Sequence, residues 1–184
     1  MKISFGKYKF KKINSIKNKS LKPTSNKVRE AIFNILINKY EWLRWGQRAH
    51  LLDAFSGSGI ITFEAFSRQL NQATIVEHDI DIFNNLKKNI LHLKLSSKIT
   101  LINSDFFNLK LDKNNFNIIY LDPPYYNDYT NLAIQKILDE NVLKKDSIII
   151  SETIKNYNYN KEFDKYISLK KVYGKTCITF LEIN

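Results

Sequence analysis

The stretch "LLDAFSGSGIITFEAF", residues 51–66, decides the fold. A short apolar run ends in Asp53, a turn holding Gly57 and Gly59 follows, and a long apolar segment opens directly after it. That order is a strand, a tight turn and a helix. Glycines let the backbone come close to a ligand, and the N–H groups of the helix start face outward there. The same rhythm continues downstream. Strands are expected at 50–55, 73–77, 98–103, 116–121 and 146–151, with helices near 58–69, 79–93 and 128–140 and only a short piece after Asp105. "NIIYL" and "SIIIS" are unbroken apolar runs, as in strands covered on both faces. The pattern predicts an α/β fold with a mainly parallel, doubly wound sheet. The tail departs from it: "YISLKKVYG" and "KTCITFLEI" meet at Gly174-Lys175 and read as a hairpin added at the sheet edge.

Upstream, residues 2–20 mix Lys with Ile, Phe and Tyr and read as an extended arm or short hairpin with Gly6 in its turn. Residues 24–40 read as a helix with Val28, Ile32, Ile35 and Leu36 on one face, capped by Thr24 or Ser25 after Pro23. Trp42 and Trp45 fall in a connector. A basic arm and helix over 1–45 and an α/β domain over 46–184 are the expected units. The 184 residues suffice for one domain with a substantial core. Lys and Arg number 29 against 18 Asp and Glu, a formal charge of +11. That excess predicts a polyanionic partner, nucleic acid ahead of a membrane face, unless it only reflects a Lys-rich composition. The single cysteine, Cys177, excludes a disulfide framework and points to a reducing, cytoplasmic compartment. No apolar run is long enough for a bilayer, and the N-terminus lacks the apolar core of a secretory signal. His50, His78 and His92 lack metal-ligand spacing, so no metal is expected. A monomer is the default expectation.

A dinucleotide fingerprint would place a third glycine near residue 62, where the chain has Thr62. Asp53 also sits badly with a pyrophosphate and suits a ligand with a positive group, such as an amino-acid moiety. Glu77 ends the next strand, 18 residues beyond Gly59, near the spacing at which an acid receives ribose hydroxyls. Asp105 ends the third strand, where its carboxylate can accept from an adenine amino group. Singly, each is an ordinary exposed acid or helix cap. Together they end three successive strands on the ligand-bearing edge, and adenosine joined to an amino acid satisfies all three. That molecule is S-adenosylmethionine. Phe55, Ser56, Gly57 and Gly59 of the turn, His78 beside Glu77 and Phe106 beside Asp105 belong to the same expected site.

The fourth strand ends in Asp122, Pro123, Pro124 and Tyr125, beside the first strand across the switch point. In isolation this reads first as a rigid turn. Beside a donor of that kind it has a chemical use. A conjugated exocyclic amine is a poor nucleophile because its lone pair is delocalised into the ring. The Asp122 carboxylate and the Pro123 carbonyl can accept its two N–H bonds, draw the nitrogen toward a tetrahedral shape and aim its lone pair at the methyl carbon. The prolines preset both acceptors. Tyr125 offers a ring on which an unstacked base can lie, worth about 1–3 kcal/mol. Asp122 thus touches both substrates.

On these residues the chain resembles the bacterial 16S rRNA guanine-N2 methyltransferases. The resemblance covers nearly the whole chain, including "FGKYKFKKI", "LKPTSNKVREAIFNIL", "LDAFSGSGIITFEAFSR", "ATIVEHD", "INSDFF", "IIYLDPPY" and "KVYGKTCITFLEI". The helix upstream of the domain is its most specific part, since "DPPY" is shared by many amino-methyltransferases. The resemblance implies a class I methyltransferase fold with an antiparallel last strand. It also implies S-adenosyl-L-methionine as donor, and guanine 966 of 16S rRNA, within a 30S subunit or assembly intermediate, as acceptor. Lys7, Lys9, Lys11, Lys12, Lys22, Lys27 and Arg29 are the expected phosphate contacts, with Tyr8 and Phe10 interleaved. The family's arm opens with two glycines and is rich in Arg. Here Phe5 precedes Gly6 and Lys dominates, which keeps charge but loses bidentate recognition. Three alternatives stay open: an adenine-N6 methyltransferase, a nicotinamide oxidoreductase, and a non-catalytic ribosome-assembly factor.

Overall fold

The computed structural model describes residues 1–16, 24–125 and 127–183. The apolar runs become seven strands: β1 (His50–Asp53), β2 (Gln72–Glu77), β3 (Ile99–Asn103), β4 (Phe116–Leu121), β5 (Leu143–Ile154), β6 (Ile167–Tyr173) and β7 (Thr176–Ile183). Between and before them lie α1 (Asn26–Asn38), α2 (Trp42–Trp45), α3 (Ile60–Ser67), α4 (Ile80–His92) and α5 (Tyr129–Asp139). The sheet order is β3-β2-β1-β4-β5-β7-β6, parallel except at β7, which runs antiparallel to both neighbours. The order reverses between β1 and β4, so the carboxyl ends of these strands flank a crevice.

The expected elements are present, with shifted ends. β5 is longer than expected, and residues 42–45 form a helical turn because the buried Trp42 indole donates to the Arg68 carbonyl at 2.7 Å. The tail hairpin does sit at the edge, but its second strand lies inside the first. β7 is buried over most of its length, whereas β6 exposes Ser168, Leu169, Lys170 and Lys171 to differing degrees. The apolar strand takes the inner position and the lysine-bearing one guards the edge.

Side-chain alternation splits the core across the sheet. Ile118, Tyr120, Ile148 and Ile150 face α1, α3 and α4, while Ile119, Leu121 and Ile149 face α5. α1 begins at Ser25, whose hydroxyl accepts from the Val28 N–H, and it buries Val28, Arg29, Ile32, Phe33 and Leu36. The arm joins the first of these cores through the buried Ile3 and Ile13. It doubles back through a Lys2–Lys12 antiparallel bridge and turns at Gly6, where φ is +83°. A Cβ on Gly6 would lie 1.9 Å from the Ser67 carbonyl oxygen, so only glycine allows the arm this close to α3. The Lys7 N–H donates to that same oxygen at 2.8 Å, and the Tyr8 N–H to the Ser67 hydroxyl at 2.9 Å. Among the described residues no helix is long and apolar enough to cross a membrane.

Candidate active site

Gly59 caps α3 at φ +72°, and a Cβ there would meet Leu86 Cδ2 at 2.6 Å. The turn before it is half-buried and covers Asp53, which is itself buried. Asp53 Oδ2 accepts from the Thr62 hydroxyl at 2.7 Å. Thr62, which stands where a dinucleotide-binding turn carries glycine, thus holds the carboxylate. Asp53 Oδ1 and the Ser56 hydroxyl are buried with no partner among the described residues. Burial, with a smaller contribution from the Glu77 charge, pushes Asp53 up to about 7. An orphaned, desolvated carboxylate is costly until a cation reaches it, and an α-ammonium group fits that requirement.

Glu77 is also buried. Its two oxygens accept the Gly57 N–H at 3.0 Å and the Asp79 N–H at 2.9 Å, so it braces both the turn and the start of α4. Burial raises its pKa against the pull of these donors. Each carboxylate oxygen retains a further acceptor position, which leaves room for ribose hydroxyls. His78 is exposed, with Nδ1 3.3 Å from Glu77 Oε1. Asp105 is exposed and caps a 3-10 turn over Phe106–Asn108 by accepting the Phe107 N–H at 2.8 Å. Phe106 is buried against Phe55 at 5.2 Å, and Phe107 extends this aromatic wall to Tyr129, also at 5.2 Å. Phe107 and Tyr129 were not singled out from the sequence.

Across the switch point, Asp122 is half-buried, Pro123 is buried, and Pro124 and Tyr125 are exposed. The β4–β5 register pairs Leu121 with Ser151, so its next step sets Asp122 beside Glu152. Glu152 is only 3% exposed and accepts the Tyr120 hydroxyl at 2.8 Å. Burial, then the charges of Asp122 and Glu152, raise the hydroxyl pKa of both Tyr120 and Tyr125. The Thr24 side chain acts against the rise at Tyr120, and Thr176 at the start of β7 against that at Tyr125. Two acids and two tyrosines therefore gather at one end of the sheet, on the face that α1 covers. Sequence reasoning found Asp122 and Tyr125 but missed Glu152. The available signal was an acid at the end of "SIIISE", in the same position on its strand as Asp122. The loop beyond is held by Asp128, which accepts from the Tyr157 hydroxyl and from Asn131 Nδ2 at 3.0 Å.

The basic face is uneven. Lys7, Lys9, Lys11, Lys12 and Lys27 are exposed, Tyr8 is half-buried against the core, and Phe10 is 70% exposed. Lys22 lies outside the described residues. Arg29 is corrected: it is buried, not a phosphate contact. Its guanidinium donates to the Lys2 carbonyl at 3.3 Å and to Asn26, and its Nε lies 3.9 Å from Glu64. Position 29 shares the inward face of α1 with Ile32, Phe33 and Leu36, and Glu64 in α3 supplies the countercharge to both Arg29 and Arg68.

The family described as conserved hypothetical protein 95 matches residues 1–182. Ribosomal RNA small subunit methyltransferase D of Haemophilus influenzae is 33% identical over 161 residues, spanning 85% of this chain and 80% of that protein. A solved structure of an Escherichia coli protein described as a methyltransferase superposes with a TM-score of 0.80 at 27% identity, covering 99% of this chain and 97% of that one. At 15% identity and a TM-score of 0.62, covering 88% and 94%, the RNA methyltransferase of Salinibacter ruber, solved with S-adenosyl-L-homocysteine, shares the fold. The fold is that of the class I methyltransferases, and the chain belongs to the bacterial small-subunit ribosomal RNA methyltransferase D family.

Proposed function

We propose that this protein, a small-subunit rRNA methyltransferase, methylates the exocyclic N2 amine of one guanine in 16S rRNA within a 30S particle or its precursor. S-adenosyl-L-methionine supplies an electrophilic methyl carbon bound to sulfur. The chain's own residues bind and orient. Asp53 pairs with the donor's ammonium, Glu77 with its ribose and Asp105 with its adenine, along the wall of Phe55 and Phe106. Asp122 and the Pro123 carbonyl accept the two N–H bonds of the target amine, and the Tyr125 ring supports the base. Positioning and electrostatics carry the rate, with no covalent enzyme intermediate. Lys7, Lys9, Lys11, Lys12 and Lys27 hold phosphates, and the exposed Phe10 ring is available to a base.

What supports this reading is the position of Asp122 and its proline turn, across the switch point from a buried carboxylate with an orphaned oxygen. The test uses 30S particles from cells lacking the activity, incubated with the protein and the donor, with the product nucleoside identified by mass spectrometry and its position mapped. N2-methylguanosine is expected, and N6-methyladenosine or no product overturns the reading. Asp122→Ala should lose nearly all turnover yet retain S-adenosylhomocysteine binding. Near-normal turnover would defeat the clamp mechanism.

A further inference from the structure

We propose that Glu152 selects guanine at this site by accepting the N1–H of the target base beside the amine held by Asp122 and Pro123. The inference rests on the guanine-N2 reading above and supplies what that reading lacks. A clamp made of one carboxylate and one carbonyl grips any NH2 group, so adenine N6 and guanine N2 satisfy it equally. The two bases differ one ring atom away. Guanine N1 carries a hydrogen, whereas adenine N1 presents a bare lone pair. An acceptor placed next to the clamp therefore welcomes guanine and repels adenine, and buried polar groups left unpaired by the wrong base make such discrimination large.

Glu152 has the required position and setting. The β4–β5 register brings it beside Asp122, on the same sheet face, one strand further from the donor turn. It is 3% exposed near the end of β5, after the apolar run Ile148–Ile150, where burying a carboxylate is costly. The Tyr120 hydroxyl donates to Oε2 at 2.8 Å, which fixes the rotamer and orients the carboxylate. The charges of Asp122 and Glu152 both act on the Tyr125 hydroxyl, and the Tyr125 residue is 44% exposed. Thr24 and Thr176 lie beside the same two tyrosines. A ring donor meeting that site gains a charge-assisted hydrogen bond, and a ring acceptor meets a carboxylate oxygen head-on.

The decisive substrate is a 30S particle whose 16S rRNA carries 2-aminopurine at the methylated position. This base keeps the amine at C2 but has no hydrogen on N1. The wild-type protein should prefer guanine in kcat/KM by roughly 10–150-fold, the range of one hydrogen bond to a charged group. Glu152→Gln can turn its amide N–H toward a bare N1. It should lower turnover of guanine and bring the ratio to within about threefold of unity. Tyr120→Phe removes the orienting hydroxyl but not the acceptor, so both rates fall while guanine stays preferred. S-adenosylhomocysteine binding, measured on each variant, reports intact folding. A wild-type ratio near one overturns the inference without recourse to any variant. So does a Glu152→Gln protein that binds S-adenosylhomocysteine but slows on both substrates equally, the behaviour of a merely structural acid. A wild-type product other than N2-methylguanosine defeats the base assignment and this inference with it. N2-methylguanosine with an unmoved ratio defeats the inference alone.

Discussion

Replacing Asp53 by Asn separates what this carboxylate does for the ligand from what it does to the fold. Burial holds Asp53 at about 7, roughly three pH units above an ordinary aspartate. In the unfolded chain the group ionises near pH 4, so between about pH 4 and 7 the folded state binds the extra proton. Stability therefore falls as pH rises through that window, by about 1.4 kcal/mol per unit, and levels off above it. From pH 5 to pH 8 the wild-type protein should lose about 2.5 kcal/mol from this group alone. In a chain of this size that is about 5–10 °C in Tm. Asn cannot ionise and can still accept from Thr62, so the variant lacks this slope. The contribution of His50, whose burial lowers its pKa, occurs in both proteins and cancels in the difference, whereas that of Glu77, whose charge helps raise Asp53, cancels only in part. The assay is urea unfolding of the ligand-free wild type and Asp53→Asn at pH 5, 6, 7 and 8. Asp53→Asn should be the more stable protein at pH 8 yet bind S-adenosylhomocysteine at least about tenfold more weakly, having lost a charge-assisted contact. Parallel stability curves within about 0.5 kcal/mol across the range would refute the argument that this acid is stored at a cost to the fold.

Gly6→Ala forces a Cβ into the Ser67 carbonyl. The arm should detach, cost about 1–3 kcal/mol, and become cleavable by limited proteolysis within residues 1–16. Glu64→Gln leaves Arg29 and Arg68 buried without their shared countercharge. Urea unfolding should register a loss of about 3–5 kcal/mol, and a loss below 1 kcal/mol would show that the acid is dispensable. Replacing Lys9 and Lys11 together by Ala should flatten the salt dependence of rRNA binding by about 1.5 in log–log slope, and an unchanged slope removes them from the interface.

The parts of this fold legible from sequence were those written locally. Unbroken apolar runs announced buried strands, and acids at the ends of β1 and β2 and just past β4 lie together at the carboxyl edge of the sheet. What escaped depended on partners far along the chain. Arg29 reads as surface charge until Glu64, 35 positions later in a wholly buried helix, is seen to receive it. Thr62 reads as a missing glycine, because the use of its hydroxyl depends on a carboxylate nine residues upstream across a turn. Glu152 looked like the end of an ordinary strand, since its neighbour Asp122 is set by interstrand register, which no local pattern encodes. The inner position of β7 is likewise a competition between two strands for cover, decided by which one carries lysines.

α3 begins at the glycine turn over Asp53 and ends where the basic arm is fastened to Ser67. Its eight residues make a rod of about 12 Å. The same short rod carries Thr62, which donates to the buried Asp53 carboxylate, and Glu64, which pairs with Arg29 of α1. If the arm holds nucleic acid and the turn holds the donor as proposed, one short helix joins the two contacts, and any coupling between them must be reciprocal.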